Sequence, residues 1–114
     1  MNWINYIGCN DDMIKNIIFN GNSVIIIVRH WDGSEKKIEF SNYHAVKERN
    51  SIGVGIGEIF VKKESILFKE IQSDIVKGGG TINELKDLKS FQFMDEWDEY
   101  IVLEIIAKTA VMIN

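Results

Sequence analysis

Proline is absent from all 114 residues. That excludes cis-proline turns and proline-rich ligand segments, and it leaves Gly, Asn and Asp to shape the turns. Cysteine occurs once, at Cys9, so no internal disulfide can form. A lone thiol without a partner motif reads as buried filler, and redox chemistry is not expected. The two histidines, His30 and His44, sit in no H-x-x-x-H or C-x-x-C pattern, so neither a metal nor any other cofactor is expected. There is no G-x-S-x-G elbow. The run Gly53-Val-Gly-Ile-Gly57 lacks both G-x-G-x-x-G spacing and a Walker lysine, and the chain is read as a non-enzyme. The longest uninterrupted aliphatic run, Val24 to Val28, is far too short to span a bilayer, so no membrane association is expected. The first nine residues have neither a basic region nor a long apolar stretch; no signal peptide is expected, and cytoplasm is the default compartment.

What the chain has in quantity is β-branched residues. From Met13 to Phe40, aliphatic runs are separated by Asn20-Gly21-Asn22 and by Trp31-Asp32-Gly33-Ser34. Turn formers between β-branched runs predict three antiparallel strands joined by two tight hairpins. The middle strand is apolar on both faces, with Val24, Ile26 and Val28 pointing one way and Ile25 and Ile27 the other. This predicts a central strand covered on both sides. His30-Trp31-Asp32 reads as solvated turn chemistry, not as an acid–base pair.

Downstream, Tyr43 and Val46 are expected to point inward from a loop with a short irregular strand. Ile52 to Val61 alternates, with Gly53, Gly55 and Gly57 on one face. That predicts a strand with one bare face, lying under an aromatic. From Glu64 to Lys77 the period changes: Leu67, Phe68, Ile71 and Ile75 fall within an arc of about 100° on a helical wheel. An amphipathic helix follows, with Ser65 as N-cap and Gly78-Gly79-Gly80 as its stop. Thr81-Ile-Asn-Glu84 has capping-box spacing for a short second helix through Leu88, and Trp3, Ile4 and Ile7 sit at one-turn helical spacing near the start. Phe91 and Phe93, Tyr100 to Ile106, and Ala110 to Ile113 read as strands, with Met94 to Glu99 as a loop. The expected fold is one domain over residues 1–114, α+β and mainly β: an antiparallel sandwich or strongly curled sheet with one amphipathic helix and a short second one.

Charge is uneven. Residues 1–57 are balanced, so the whole formal charge of −4 falls in residues 58–114. Asp95, Glu96, Asp98, Glu99 and Glu104 follow Phe91 with no basic residue among them, and Trp97 and Tyr100 are set into that stretch. An acidic loop with aromatic anchors suits a basic protein partner: carboxylates speed encounter, while Trp and Tyr supply desolvated contact area. The bland alternative is a solvated hairpin tip whose Trp folds back on the sheet. Asp95, Glu96, Trp97, Asp98, Glu99 and Tyr100 are thus the candidate partner-binding residues. Trp31-Asp32 is passed over because Arg29, Lys36 and Lys37 nearly cancel its charge. The acidity argues against nucleic acid, which needs a basic face.

Asn10-Asp11-x-x-Ile14-x-x-Ile17, then Val24-x-Ile26-x-Val28, then Ile38-x-Phe40 and Val46, resembles the opening of a broad group of small bacterial β-rich proteins. These typically begin His-Asp-x-x-Ile; Asn10 stands here in place of the histidine. Several of the group are immunity proteins of polymorphic toxin and contact-dependent growth inhibition systems. The resemblance implies a small cytoplasmic protein without catalytic motifs that covers the active or substrate-binding surface of a cognate toxin, with a nuclease as the expected toxin. The alternative from a different class is a small-ligand-binding or regulatory domain, with a pocket under the helix where the glycine face leaves room.

Overall fold

The structure, a computed structural model, describes residues 12–79, 87–97 and 100–113. Among these residues, eight strands and one helix run in the order β1 (Met13–Asn20), β2 (Ser23–Arg29), β3 (Glu35–Ser41), β4 (Ala45–Glu48), β5 (Ile56–Lys62), α1 (Ile66–Lys77), β6 (Lys89–Asp95), β7 (Ile101–Ala107) and β8 (Thr109–Ile113). The strands form two four-stranded antiparallel sheets, ordered β1-β2-β3-β8 and β4-β7-β6-β5. Among the described residues no helix is long and apolar enough to cross a membrane.

The two N-terminal hairpins form as their turn chemistry predicts. Asn20 pairs with Ser23 across a two-residue loop, and Gly21 takes the positive φ of +61° at the first loop position, where a side chain would be strained. Val24, Ile26 and Val28 of β2, with Ile38 and Phe40 of β3, are fully buried against Phe91, Phe93, Leu103 and Ile105 of the second sheet. The Phe40 ring meets Phe91 and Phe93 edge-on, at centroid distances of 5.1 and 6.0 Å. Aromatic pairs so arranged add to area burial and join the sheets into a sandwich.

The layer order differs from the one expected for β2. Its second face, Ile25 and Ile27, is only half-buried, because α1 lies on the other sheet. There Phe68 packs with Leu88 and Ile106, flanked by Ala45, Leu67, Ile71 and Ile75. The strand covered on both faces is β7, where residues 102–107 are all buried. α1 itself begins and ends where expected: Ser65 Oγ accepts from the Phe68 N–H at 2.9 Å, and the Gly78 N–H donates to the Asp74 carbonyl at 3.0 Å. Tyr43 and Val46 are half-buried against the core. The short second helix at Thr81–Glu84 and the N-terminal turn of Trp3, Ile4 and Ile7 lie outside the described residues.

The glycine run departs from its expected form. Residues 51–55 make a turn with a single bridge from Gly55 to Met13, and β5 starts only at Ile56. Gly53, at φ +87°, ends the alternation. Its N–H donates to the Ile14 carbonyl at 2.7 Å, the Ile14 N–H to the Val54 carbonyl at 3.0 Å and the Ile56 N–H to the Asp12 carbonyl at 2.9 Å. This backbone seam ties the start of β1 to the entry of β5 and holds Asp12, Gly53 and Gly55 together. Gly55 and Gly57 lie beneath Glu96 and not beneath an aromatic: a Cβ on Gly55 would sit 2.3 Å from Glu96 Oε1, and one on Gly57 2.9 Å from Glu96 Cα.

Candidate functional site

At the seam end of the sandwich two turns stand on either side of a groove of about 610 Å³, lined by Asp12, Met13, Arg29, His30, Trp31, Gly53, Gly55, Glu96 and Trp97. One wall is the β2–β3 turn. The His30 N–H donates to the Ser34 carbonyl at 2.8 Å, and Asp32 Oδ1 accepts from the Ser34 N–H and hydroxyl at 2.9 and 2.6 Å. The Ser34 hydroxyl and its backbone N–H hold the Asp32 carboxyl below its ordinary range. This is the turn chemistry read from the sequence, and it leaves Trp31 projecting, 77% exposed.

The opposite wall is the β6–β7 turn, tied down by three hydrogen bonds. The Glu96 N–H donates to the Gly55 carbonyl at 3.1 Å, the Asp95 N–H to the Tyr100 carbonyl at 2.9 Å and the Trp97 N–H to Asp95 Oδ1 at 2.6 Å. Trp97 is 82% exposed. It does not fold back on the sheet.

Beneath the walls, His30 Nδ1 lies 2.6 Å from Asp12 Oδ1, and the Asp12 side chain is fully buried. A buried carboxylate at this distance fixes the ring's orientation. Such a pair serves nucleophilic catalysis only beside a hydroxyl or thiol, and no Ser, Thr or Cys is among the described residues lining the groove. Arg29 Nη2 is 3.2 Å from Glu35 Oε2, which also pairs with Lys15. Lys15 first, and then Arg29, hold the Glu35 carboxyl below its ordinary range. Among the described residues no three His, Cys, Asp or Glu side chains converge to hold a metal ion.

The six candidate residues separate in space. Glu96 and Trp97 belong to the groove. Asp95 ends β6, is buried and accepts from the Trp97 N–H, so it shapes the turn instead of presenting charge. Tyr100 lies outside the groove, with the Arg49 guanidinium 5.8 Å from its ring centre. Asp98 and Glu99 lie outside the described residues. Glu104, counted with the acidic stretch, faces inward beneath α1 and accepts from Ser90 Oγ at 2.6 Å.

Sequence reasoning missed Asp12, Arg29, His30 and Trp31. Nothing local pairs Asp12 with His30 across eighteen residues, whereas a Trp at a hairpin tip was a usable signal. Among the described residues the glycine face expected to leave room under α1 is covered: Glu96 lies over Gly55 and Gly57, and Phe68, Leu88 and Ile106 pack together beneath the helix.

No protein-family model matches the chain, and no curated protein or solved structure matches it either.

Proposed function

We propose that this chain is an immunity protein that binds a basic bacterial toxin, a nuclease by preference, with the end of the sandwich carrying Trp31 and Trp97. The single observation behind this reading is that two tryptophans from turns of different sheets flank one groove and are both more than three-quarters exposed. A large indole left mostly in water contributes little burial to the fold, and Trp is among the side chains most enriched in the few contacts that dominate protein interfaces. The balance of charge, −4 overall and confined to residues 58–114, favours a basic partner by accelerating encounter. The family resemblance of the opening residues supports the same class. Cytoplasmic action and the absence of catalysis belong to this proposal.

The test is binding kinetics against the product of the neighbouring gene. Trp31→Ala and Trp97→Ala each raise the dissociation rate, with a loss above roughly 2 kcal/mol for a central contact. Reversing Glu96, Asp98 and Glu99 to lysine slows association, more at about 50 mM than at about 500 mM salt. Rates unchanged in all of these variants remove this end of the molecule from the interface, and no binding at all removes the immunity reading.

A second reading has its own observation. The groove volume of about 610 Å³ lies within the range of small-molecule sites, roughly 300–1,000 Å³. A ligand-binding domain with its pocket between the turns accounts for that, and a bound metabolite released from purified protein on denaturation would favour it.

A further inference from the structure

Among the described residues four ionisable side chains line the groove, and three of them are already committed. Arg29 pairs with Glu35, and His30 pairs with the buried Asp12. Glu96 remains: among the described residues its half-buried carboxylate has no hydrogen bond and no ion pair. It lies over Gly55, whose missing side chain is the space the carboxylate occupies, with Trp31 and Trp97 exposed on the walls. Arg29 shares Glu35 with Lys15, and Asp12 has His30 beside it, so the carboxylate that the groove leaves without a cation is Glu96. Indole faces carry negative quadrupole potential and attract a cation, and a partly desolvated carboxylate needs one.

We propose that the groove receives an arginine side chain presented by the protein partner, its guanidinium set between Trp31 and Trp97 and against the Glu96 carboxylate. Arginine suits the geometry better than lysine because its planar head stacks on indole faces and offers a carboxylate two parallel N–H groups. A neutral sugar or an anionic phosphate would leave the Glu96 charge uncompensated or repelled. The proposal rests on the reading of this end as a contact surface, but its test needs no toxin.

The full chain is titrated with the peptide Gly-Gly-Arg-Gly-Gly, with its lysine and citrulline counterparts, and with tetramethylammonium. The readout is the indole N–H signals in ¹H–¹⁵N NMR spectra, assigned through Trp31→Phe and Trp97→Phe. The expected result is saturable movement of both indole signals by the arginine peptide at millimolar concentration, with weaker movement by the lysine peptide and none by citrulline. Glu96→Gln lowers the arginine affinity roughly tenfold, with an unchanged melting temperature showing that the fold is intact. Equal response to citrulline, or no saturation up to about 20 mM, overturns the proposal. Tighter binding of tetramethylammonium overturns it in favour of a small quaternary ammonium ligand. If the toxin binds and the arginine peptide does not, the immunity reading stands and the arginine assignment falls; the reverse pattern has the opposite meaning.

Discussion

Ser65 Oγ donates to Glu104 Oε2 while accepting from the Phe68 N–H, so one hydroxyl both caps α1 and fastens it to β7. Glu104 also takes the Ser90 hydroxyl, which in turn accepts from Gln92 Nε2 at 3.0 Å. Ser65→Ala is expected to cost about 1–2 kcal/mol through the lost cap. Glu104→Ala is expected to cost about 1–3 kcal/mol, by leaving the Ser65 and Ser90 hydroxyls without an acceptor. In a urea double-mutant cycle the two are coupled by roughly 0.5 kcal/mol or more. Strict additivity would mean that the hydroxyl does not bridge helix and strand.

The two faces of β2 give a second prediction. Ile26 is fully buried, and Ile26→Asn is expected to cost about 3–5 kcal/mol, from lost burial and an amide without partners. Ile27, one residue on and half-buried, is expected to lose about 1 kcal/mol as Asn, mostly in strand preference. Thermal melts of both variants decide it: equal losses would mean that the outer face is covered.

Gly55 and Gly57 separate a stability effect from a positional one. At Gly57 a new methyl meets Glu96 Cα at 2.9 Å, which is backbone and cannot step aside; Gly57→Ala is expected to cost about 1–3 kcal/mol. At Gly55 the methyl meets the end of a flexible side chain, so Gly55→Ala leaves the melting temperature nearly unchanged and moves the carboxylate. Chemical-shift changes confined to Glu96 and its neighbours in Gly55→Ala are the check.

Glu35 supplies a pH dependence. Its folded pKa is lowered by Lys15 and then Arg29, so the carboxylate's contribution is fully present above the unfolded pKa of about 4.5. It is lost as pH falls through the lower folded value. Glu35→Gln should therefore be slightly less stable than the parent at pH 7, and the gap should close on acidification below pH about 4. Because the group is exposed, about 500 mM salt should shrink the gap at neutral pH as well. A gap that widens with acid would contradict the sign.

The parts of the fold legible in the sequence are those set by neighbours along the chain. Asn20-Gly21-Asn22 makes its own turn, and Ser65 to Gly78 carries a helix with both ends marked. The choice of face was not local: α1 covers the β4–β7–β6–β5 sheet because Ile106 and Leu88 meet Phe68 there, and Ile25 and Ile27 contain no sign of that preference. Counting carboxylates along the chain groups Glu104 with the acidic stretch, although its pairing with Gln92 puts it on the same face as Ser90 and Gln92, both of which are buried. The same linear count sets Trp31 aside on account of Arg29, Lys36 and Lys37, although Arg29 is paired in space with Glu35. Half of the site was therefore readable as Glu96 and Trp97. The other half depends on the seam that brings Asp12, His30 and Trp31 to face them.

The pairing of β8 with β3 carries a consequence for biosynthesis. β2 covers one edge of β3, and Thr109–Ile113 covers the other along Lys37 to Ser41, so a nascent chain must be extended to Ile113 before the first sheet is complete. Until then β3 offers an open edge to any passing strand, in a cell where many copies emerge together. Lys36, Lys37 and Glu39 place charges along that edge, and charged side chains are what discourage premature strand addition. The late partner and the charged edge together let the chain wait, unfinished, without sticking to its neighbours.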